Sequence, residues 1–481
     1  MLFNRESKQR TSIRWVPSTI KWASSTPSIL LRPVDSKAVT PSRFDVIVVG
    51  AGIAGLAAAG ARAEAGRRVL VLEARGQLGG RATAFVDRAT GELVDNGQHV
   101  LFGCYHETFT FFRRVGADAH VRVQPSLEVP YLDASGRRSV LKCPQLPSPL
   151  HLLGAILDWD ALPWSDRLRA LRVAVPLLRA RRGLGLQTGD ETVSQWLTRH
   201  GQRGRLREWL WEPLAIAALN QSPAEAAAAP FLRVLALMFG PDPRDASIVL
   251  PTTPLHEMYA LPARRFIESR GGEVRTHALA RVHLAGHRVT GVDVRNESSG
   301  ASRIIAAVPW FALAQLFTGA SSLMDSTIAA ASRMASKPIV TVNLWYDRAV
   351  MEDAFVGLPG RAMQWVFDKR QAFGERASHL SLVSSGAGDL VGLDNEALVT
   401  LAAREVAESI PGARNALLRR GTVIREKHAT FSLAPGQPLR PAVETPVEGL
   451  FLAGDWIDTG LPGTIESAAI AGHRAAGALL K

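Results

Sequence analysis

Apolar residues are distributed along the chain in a few distinct rhythms. Phe44–Gly50, FDVIVVG, is a nearly unbroken β-branched run of the kind buried on both faces of a parallel sheet. A helical spacing follows at once in LAAAGARAEA, which Gly66 stops, and then a second apolar run, RRVLVLE, ends at Glu73. Strand, helix and strand are therefore expected in that order. Near the other end, GLFLAGD predicts a strand over 450–453 and a loop, with a helix from about Thr464 onward. The segment Gly271–Trp310 alternates with period two and predicts short strands. KPIVTVNLWYD predicts another strand and EALVTLAAREVAESI a helix. Residues 105–265 are instead rich in helix-compatible Leu, Ala and Arg, and hold Trp159, Trp164, Trp196, Trp209 and Trp211.

The first strand–helix junction carries chemistry. Gly50, Gly52, Ala54 and Gly55 lie in a GxGxxG spacing, and Glu73 follows Gly55 by eighteen residues at the end of the second strand. Bare backbone there lets amides approach a pyrophosphate at a helix N-terminus, and an acid at that distance accepts from ribose hydroxyls. Glu73 disfavours a 2′-phosphate and hence NADP. A second glycine pair comes unexpectedly soon, in Glu73-Ala74-Arg75 followed by Leu78-Gly79-Gly80-Arg81. A nicotinamide enzyme has no use for it.

This diglycine signature resembles the one that follows the Rossmann unit in the flavin family of amine oxidases, protoporphyrinogen oxidases and carotenoid desaturases. The resemblance implies an extended FAD passing over Gly79 and Gly80, with Arg81 reaching its diphosphate. The tail, GDWIDTGLPGTIESAAIAGHRAA, resembles the strand–Gly–Asp–loop–helix that closes the flavin site in the same family. By that resemblance Gly454, Asp455, Gly463, Thr464 and Ile465 also bind FAD, with the helix N-terminus aimed at the flavin. No Cys or His lies between Gly454 and Ala471, so non-covalent FAD is expected. The expected fold class is α/β: a discontinuous, glutathione-reductase-type Rossmann-like FAD-binding domain with an α+β substrate or cap domain. Residues 44–104, 266–318 and 445–481 would form the first, and 105–265 and 319–444 the second.

Charge adds one qualification. The net charge is +12, and residues 1–43 hold eight Lys or Arg against two acids, which is half of the excess. That Ser- and Thr-rich segment is expected to be a disordered basic leader. The milder excess elsewhere suits attraction to anionic lipid, whereas no nucleic-acid motif supports a nucleic-acid partner. Only Cys104 and Cys143 occur, in no metal-ligand or disulfide spacing, so no metal site is expected and a reducing cytoplasm is. No run is long enough to span a bilayer, so a cytoplasmic protein is expected, either free or peripheral at the inner face of the cytoplasmic membrane. In PWSDRLRALRVAVPLLRARR, residues Leu168, Leu171, Val175 and Leu178 share a helical face ringed by arginines. That face either packs on the core or meets lipid.

Several stretches resemble the hydroxysqualene dehydroxylases more narrowly: Asp95–Tyr105, Leu210–Leu235, Ile339–Met351, Met363–Lys369 and Gly454–Ala475. The resemblance covers nearly everything after residue 43, and the leader departs from it. It implies a long-chain isoprenoid substrate and reductive loss of an allylic hydroxyl, with hydride from reduced flavin supplied by an unidentified electron donor. A proton donor is also required, and His99, Asp95 and Glu466 are the candidates. Amine oxidases commonly place an aromatic residue two positions before the glutamate matching Glu466; Thr464 stands here instead.

Overall fold

The computed structural model describes residues 43–87, 91–295, 297–375 and 377–480. The expected basic leader therefore lies outside the described residues, except Arg43, which pairs with Glu273.

The strand Val46–Val49 is buried at every position, which an apolar run without alternation requires. It occupies the middle of a five-stranded sheet in the order Glu273–Arg275, Val69–Leu72, Val46–Val49, Ile304–Ala306, Leu450–Leu452. Every neighbouring pair is parallel, with Ile47 opposite both Leu70 and Ile304. The sheet thus collects strands from the start, the middle and the end of the chain. The helix Ile53–Glu64 returns the chain between the first two strands and ends where Gly66 adopts φ +74°. The C-terminal helix Ile465–Ala478 lies against it so closely that a Cβ on Gly472 would stand 2.3 Å from the Ala54 carbonyl oxygen. The helix His106–Val115 sits in the segment expected to open the cap, yet it packs on these two helices.

The alternating segments of 271–310 divide between two sheets. Glu273–Arg275 and Ile304–Ala306 join the parallel sheet, whereas Ala280–Ala285 and Arg288–Val294 form an antiparallel pair in a separate four-stranded sheet.

A seven-stranded sheet makes the other large layer, with Ser336–Tyr346 flanked by Ser378–Ser385 and Leu418–Phe431. Its period-two pattern separates its faces. Val340, Val342 and Leu344 pack with Leu398, Ala402 and Val406 of the helix Asn395–Ser409. Ile339, Thr341, Asn343 and Trp345 alternate with them and point to the opposite face. Short helices fill 150–238, among them Leu150–Asp158, Trp164–Ala170 and Ala174–Arg181. Pro176 falls in the first turn of the last of these, where proline is best tolerated in a helix.

Candidate functional site

The glycines of the first loop have different reasons to be there. Gly50 adopts φ +104°, and a Cβ would sit 2.3 Å from the Ala307 carbonyl oxygen; on Gly55 it would sit 1.9 Å from that of Gly50. The fold itself demands both. Gly52 is otherwise, because a Cβ there meets nothing nearer than Gly80 Cα at 4.0 Å. It is the N-cap of Ile53–Glu64 and provides no side-chain hydrogen bond to the first turn. Bare backbone, free helix amides and open space coincide at that point, as a phosphate-bearing ligand requires. Glu73 is buried and accepts from the Ala51 amide at 2.8 Å and the Arg75 amide at 2.9 Å. A carboxylate has room for further donors beyond two. Ala74 and Arg75 are exposed beside it.

The second glycine pair lies directly against the first loop. The Gly79 amide donates to Ala51 O at 2.8 Å, and a Cβ on Gly80 would stand 3.2 Å from Gly52 Cα. Gly79 and Gly80 take φ +106° and +63°. The Tyr259 hydroxyl donates to the Gly79 carbonyl at 3.0 Å and fixes the turn from behind.

Arg81 joins the two ends of the chain. Its Nη2 meets Asp455 Oδ1 at 2.6 Å, its Nη1 donates to Ala429 O at 2.8 Å, and its guanidinium lies 5.2 Å from the Trp310 ring. Arg81 and Asp455, both expected at the cofactor, are thus brought together from opposite ends of the chain. Gly463 brings its Cα against this carboxylate, since a Cβ would stand 3.1 Å from Asp455 Oδ2. Gly454 takes φ +149° beside Trp456. Thr464 caps the C-terminal helix, its Oγ1 accepting from Ser467 N at 3.1 Å, and Ile465 begins that helix half-buried.

The three candidate proton donors stand in three different environments. Glu466 accepts from the Glu107 and Thr108 amides at 3.0 and 2.9 Å and from the Thr108 hydroxyl at 2.6 Å. It therefore satisfies the N-terminus of His106–Val115, while burial raises its pKa against those donors. Asp95 is buried, accepting from the Leu255 amide at 3.1 Å on one oxygen and from Lys369 Nζ at 2.9 Å on the other. His99 donates from Nδ1 to Gly97 O at 2.8 Å, which leaves Nε2 the bare nitrogen of a neutral ring. Burial, first of all, lowers its pKa below 6.5, with Asp95 opposing and Lys369 assisting.

Lys369 is the residue that pattern reasoning missed. It is fully buried, bonded to Asp95, to Gln98 Oε1 at 2.5 Å, and 4.0 Å from the Phe373 ring centre. An ammonium admits only an acceptor, so it fixes the Gln98 amide with Nε2 turned away. That nitrogen is buried and has no hydrogen-bond partner among the described residues. Thr341 Oγ1 and Asn343 Nδ2, on the inward face of the large sheet, are likewise buried without partners among the described residues.

The model of the flavin-containing amine oxidoreductase family matches residues 53–480, the whole span from the first helix to the last. The chain belongs to this family. It is similar to the hydroxysqualene dehydroxylases of Sinorhizobium fredii and Rhodopseudomonas palustris, each 30% identical over 90% of this chain and 97% and 98% of theirs. Among solved structures, an oxidoreductase from Methanosarcina mazei superposes with a TM-score of 0.71 at 17% identity, covering 91% of this chain and 100% of the other. The mixed α/β fold is that of the flavin amine oxidoreductases, and the protein is a flavin-dependent oxidoreductase. No described helix is long and apolar enough to cross a membrane.

Proposed function

We propose that the protein binds FAD non-covalently and reductively removes the hydroxyl of hydroxysqualene to give squalene. The observation that carries this is the similarity to named dehydroxylases over nine-tenths of the chain, cap included, rather than over the nucleotide motifs alone. The residues present fit the cofactor. Gly52 leaves the space, the helix amides and Glu73 supply the donors and acceptor, and Arg81 and Asp455 stand where a diphosphate can exchange for one of their bonds. Cys104 and Cys143 are buried, with burial chiefly pushing each thiol up to about 12, so neither is poised as a nucleophile toward a flavin.

When bound and reduced, FAD supplies a hydride. The chain must deliver a proton to the hydroxyl oxygen, so that the C–O bond breaks and its electron pair leaves with water. The allylic carbon left behind would take the hydride that bound, reduced FAD would supply. Of the three candidates His99 suits the transfer best: its Nε2 is not already engaged, and once that nitrogen has taken up a proton the imidazolium can pass it to the hydroxyl. Its lowered pKa makes the protonated ring a stronger acid. Gln98 Nε2 can donate to the same oxygen and orient it. Phe355, Phe367 and Val383, buried on the inner face of the large sheet beside the polar Thr341 and Asn343, would help to exclude water. Thr464 in place of an aromatic residue removes one wall of an amine-binding cage.

Incubating FAD-loaded protein with hydroxysqualene and dithionite should yield squalene, and acid precipitation should release FAD into the supernatant. Flavin that stays with the pellet would refute non-covalent binding. Loaded protein that leaves hydroxysqualene untouched while desaturating a polyene would refute the reaction.

A further inference from the structure

The helical stretch from Trp164 to Arg181 has two apolar faces, and only one of them is covered. The chain runs as an α-helix over Trp164–Ala170, a 3₁₀ turn over Leu171–Val173 and a second α-helix over Ala174–Arg181. Asp166, Ala170, Val173, Leu177 and Ala180 are buried, and Ala170, Val173 and Leu177 belong to the main core. The opposite stripe, Trp164, Leu168, Leu171, Val175 and Leu178, advances by four, three, four and three residues, the spacing of one helical face. These residues are 67%, 58%, 39%, 65% and 42% exposed. Of the two roles open to this face from sequence, packing on the core is excluded.

The surroundings of the stripe are positively charged. Residues 161–187 contain six arginines and a single acid, Asp166, which is buried and paired with Arg169. Arg167 turns back to the carbonyls of Leu162 and Leu157 and lies 4.6 Å from the Trp164 ring. Arg172, Arg179, Arg181 and Arg182 are exposed and have no acidic partner among the described residues. Scattered exposed apolar side chains are ordinary, but an unbroken stripe of five within a ring of unpaired cations is not.

We infer that this face docks the protein on an anionic lipid bilayer, lying in the plane of the interface. Leucines and valine enter the acyl boundary, Trp164 sits at headgroup level, and the arginines meet lipid phosphates. A second copy of the chain is the poorer occupant. Two-fold pairing would bring the same cations of both copies together with no acid to separate them. The inference goes beyond the assigned chemistry and does not depend on it, because lipid binding is measured without turnover.

Co-sedimentation of the full-length, flavin-loaded protein with vesicles tests it. Binding is expected to vesicles of equal phosphatidylcholine and phosphatidylglycerol, to weaken with added salt, and to be at least about tenfold weaker on pure phosphatidylcholine. Arg172→Gln with Arg179→Gln should weaken it about 25-fold, since each cation near an anionic surface contributes about fivefold. Leu168→Ser with Val175→Ser should weaken it at least about tenfold. Both positions are already exposed, so flavin absorbance and melting temperature should match wild type. Wild-type protein that ignores anionic vesicles overturns the proposal, as does serine-variant binding at full strength. A dimer that only the serine variant dissociates, without vesicle binding, assigns the face to self-association instead.

Discussion

Asp95, Lys369 and Gln98 form the most consequential contact set at the scale of single residues. Lys369→Met would leave the Asp95 carboxylate buried with a lone backbone donor, and removal of one partner of such a pair costs about 3–5 kcal/mol. Denaturant unfolding should show that loss, and adding Asp95→Asn should recover most of it. A double variant as weak as the single one would mean that packing of the lysine stem, not the charge, is what matters. His99 makes a prediction about pH. Its folded pKa lies below 6.5, so on acidification the unfolded chain takes up its proton first. The stability it contributes is complete above pH 6.5 and is lost as pH falls from there through the folded value. His99→Gln, which keeps a donor for Gly97 O, should flatten the fall in unfolding free energy over that window; an unchanged slope contradicts the assignment. Asp95 and His99 stood out in sequence because they lie in a single short stretch. Lys369 did not, although its segment carried part of the family resemblance. A lysine is ordinarily a surface residue, and nothing local shows that a partner 274 positions away will bury it.

At the scale of elements, the first loop makes a paired prediction. Gly55→Ala forces a Cβ into the Gly50 carbonyl, so the strand–helix junction should fail and soluble yield should collapse. Gly52→Ala meets no atom within 4 Å other than Gly80 Cα at that limit. It should fold with a near-normal melting temperature yet lose flavin by at least about tenfold in affinity, as a methyl group occupies phosphate space. Equal flavin retention in Gly52→Ala would place the pyrophosphate elsewhere. The elements of this loop were legible because burial on both faces, a glycine stop and an acid at the strand end each leave a local mark. The short helices of 150–238 were less so. Their apolar positions serve two faces, and periodicity alone could not say which face the core would take. Glu466 shows the same limit: its position in the tail made it a candidate, and nothing local shows that it also accepts from the Glu107 amide, 359 residues earlier.

The whole molecule is built on a sheet whose strands come from three distant parts of the chain, which governs how it responds to a cut. The exposed stretch Gly183–Gly185 lies in neither large sheet. A single protease cut there should give two fragments that still co-elute and keep their flavin, since Val46–Val49 from one side remains paired with Ile304–Ala306 from the other. Fragments that separate in size-exclusion chromatography without denaturant would show that covalent continuity, rather than the shared sheet, holds the molecule together. The same topology orders events on the ribosome. Val46–Val49 emerges before the other strands of its sheet, yet one of its two lateral neighbours does not exist until Ile304 has been translated. The edge strand Leu450–Leu452 and the helix that covers Ala54 come later still. Until Ile304–Ala306 is made, the apolar run Val46–Val49 therefore waits with one edge unpaired, a template for aggregation that chaperones must shield over that interval.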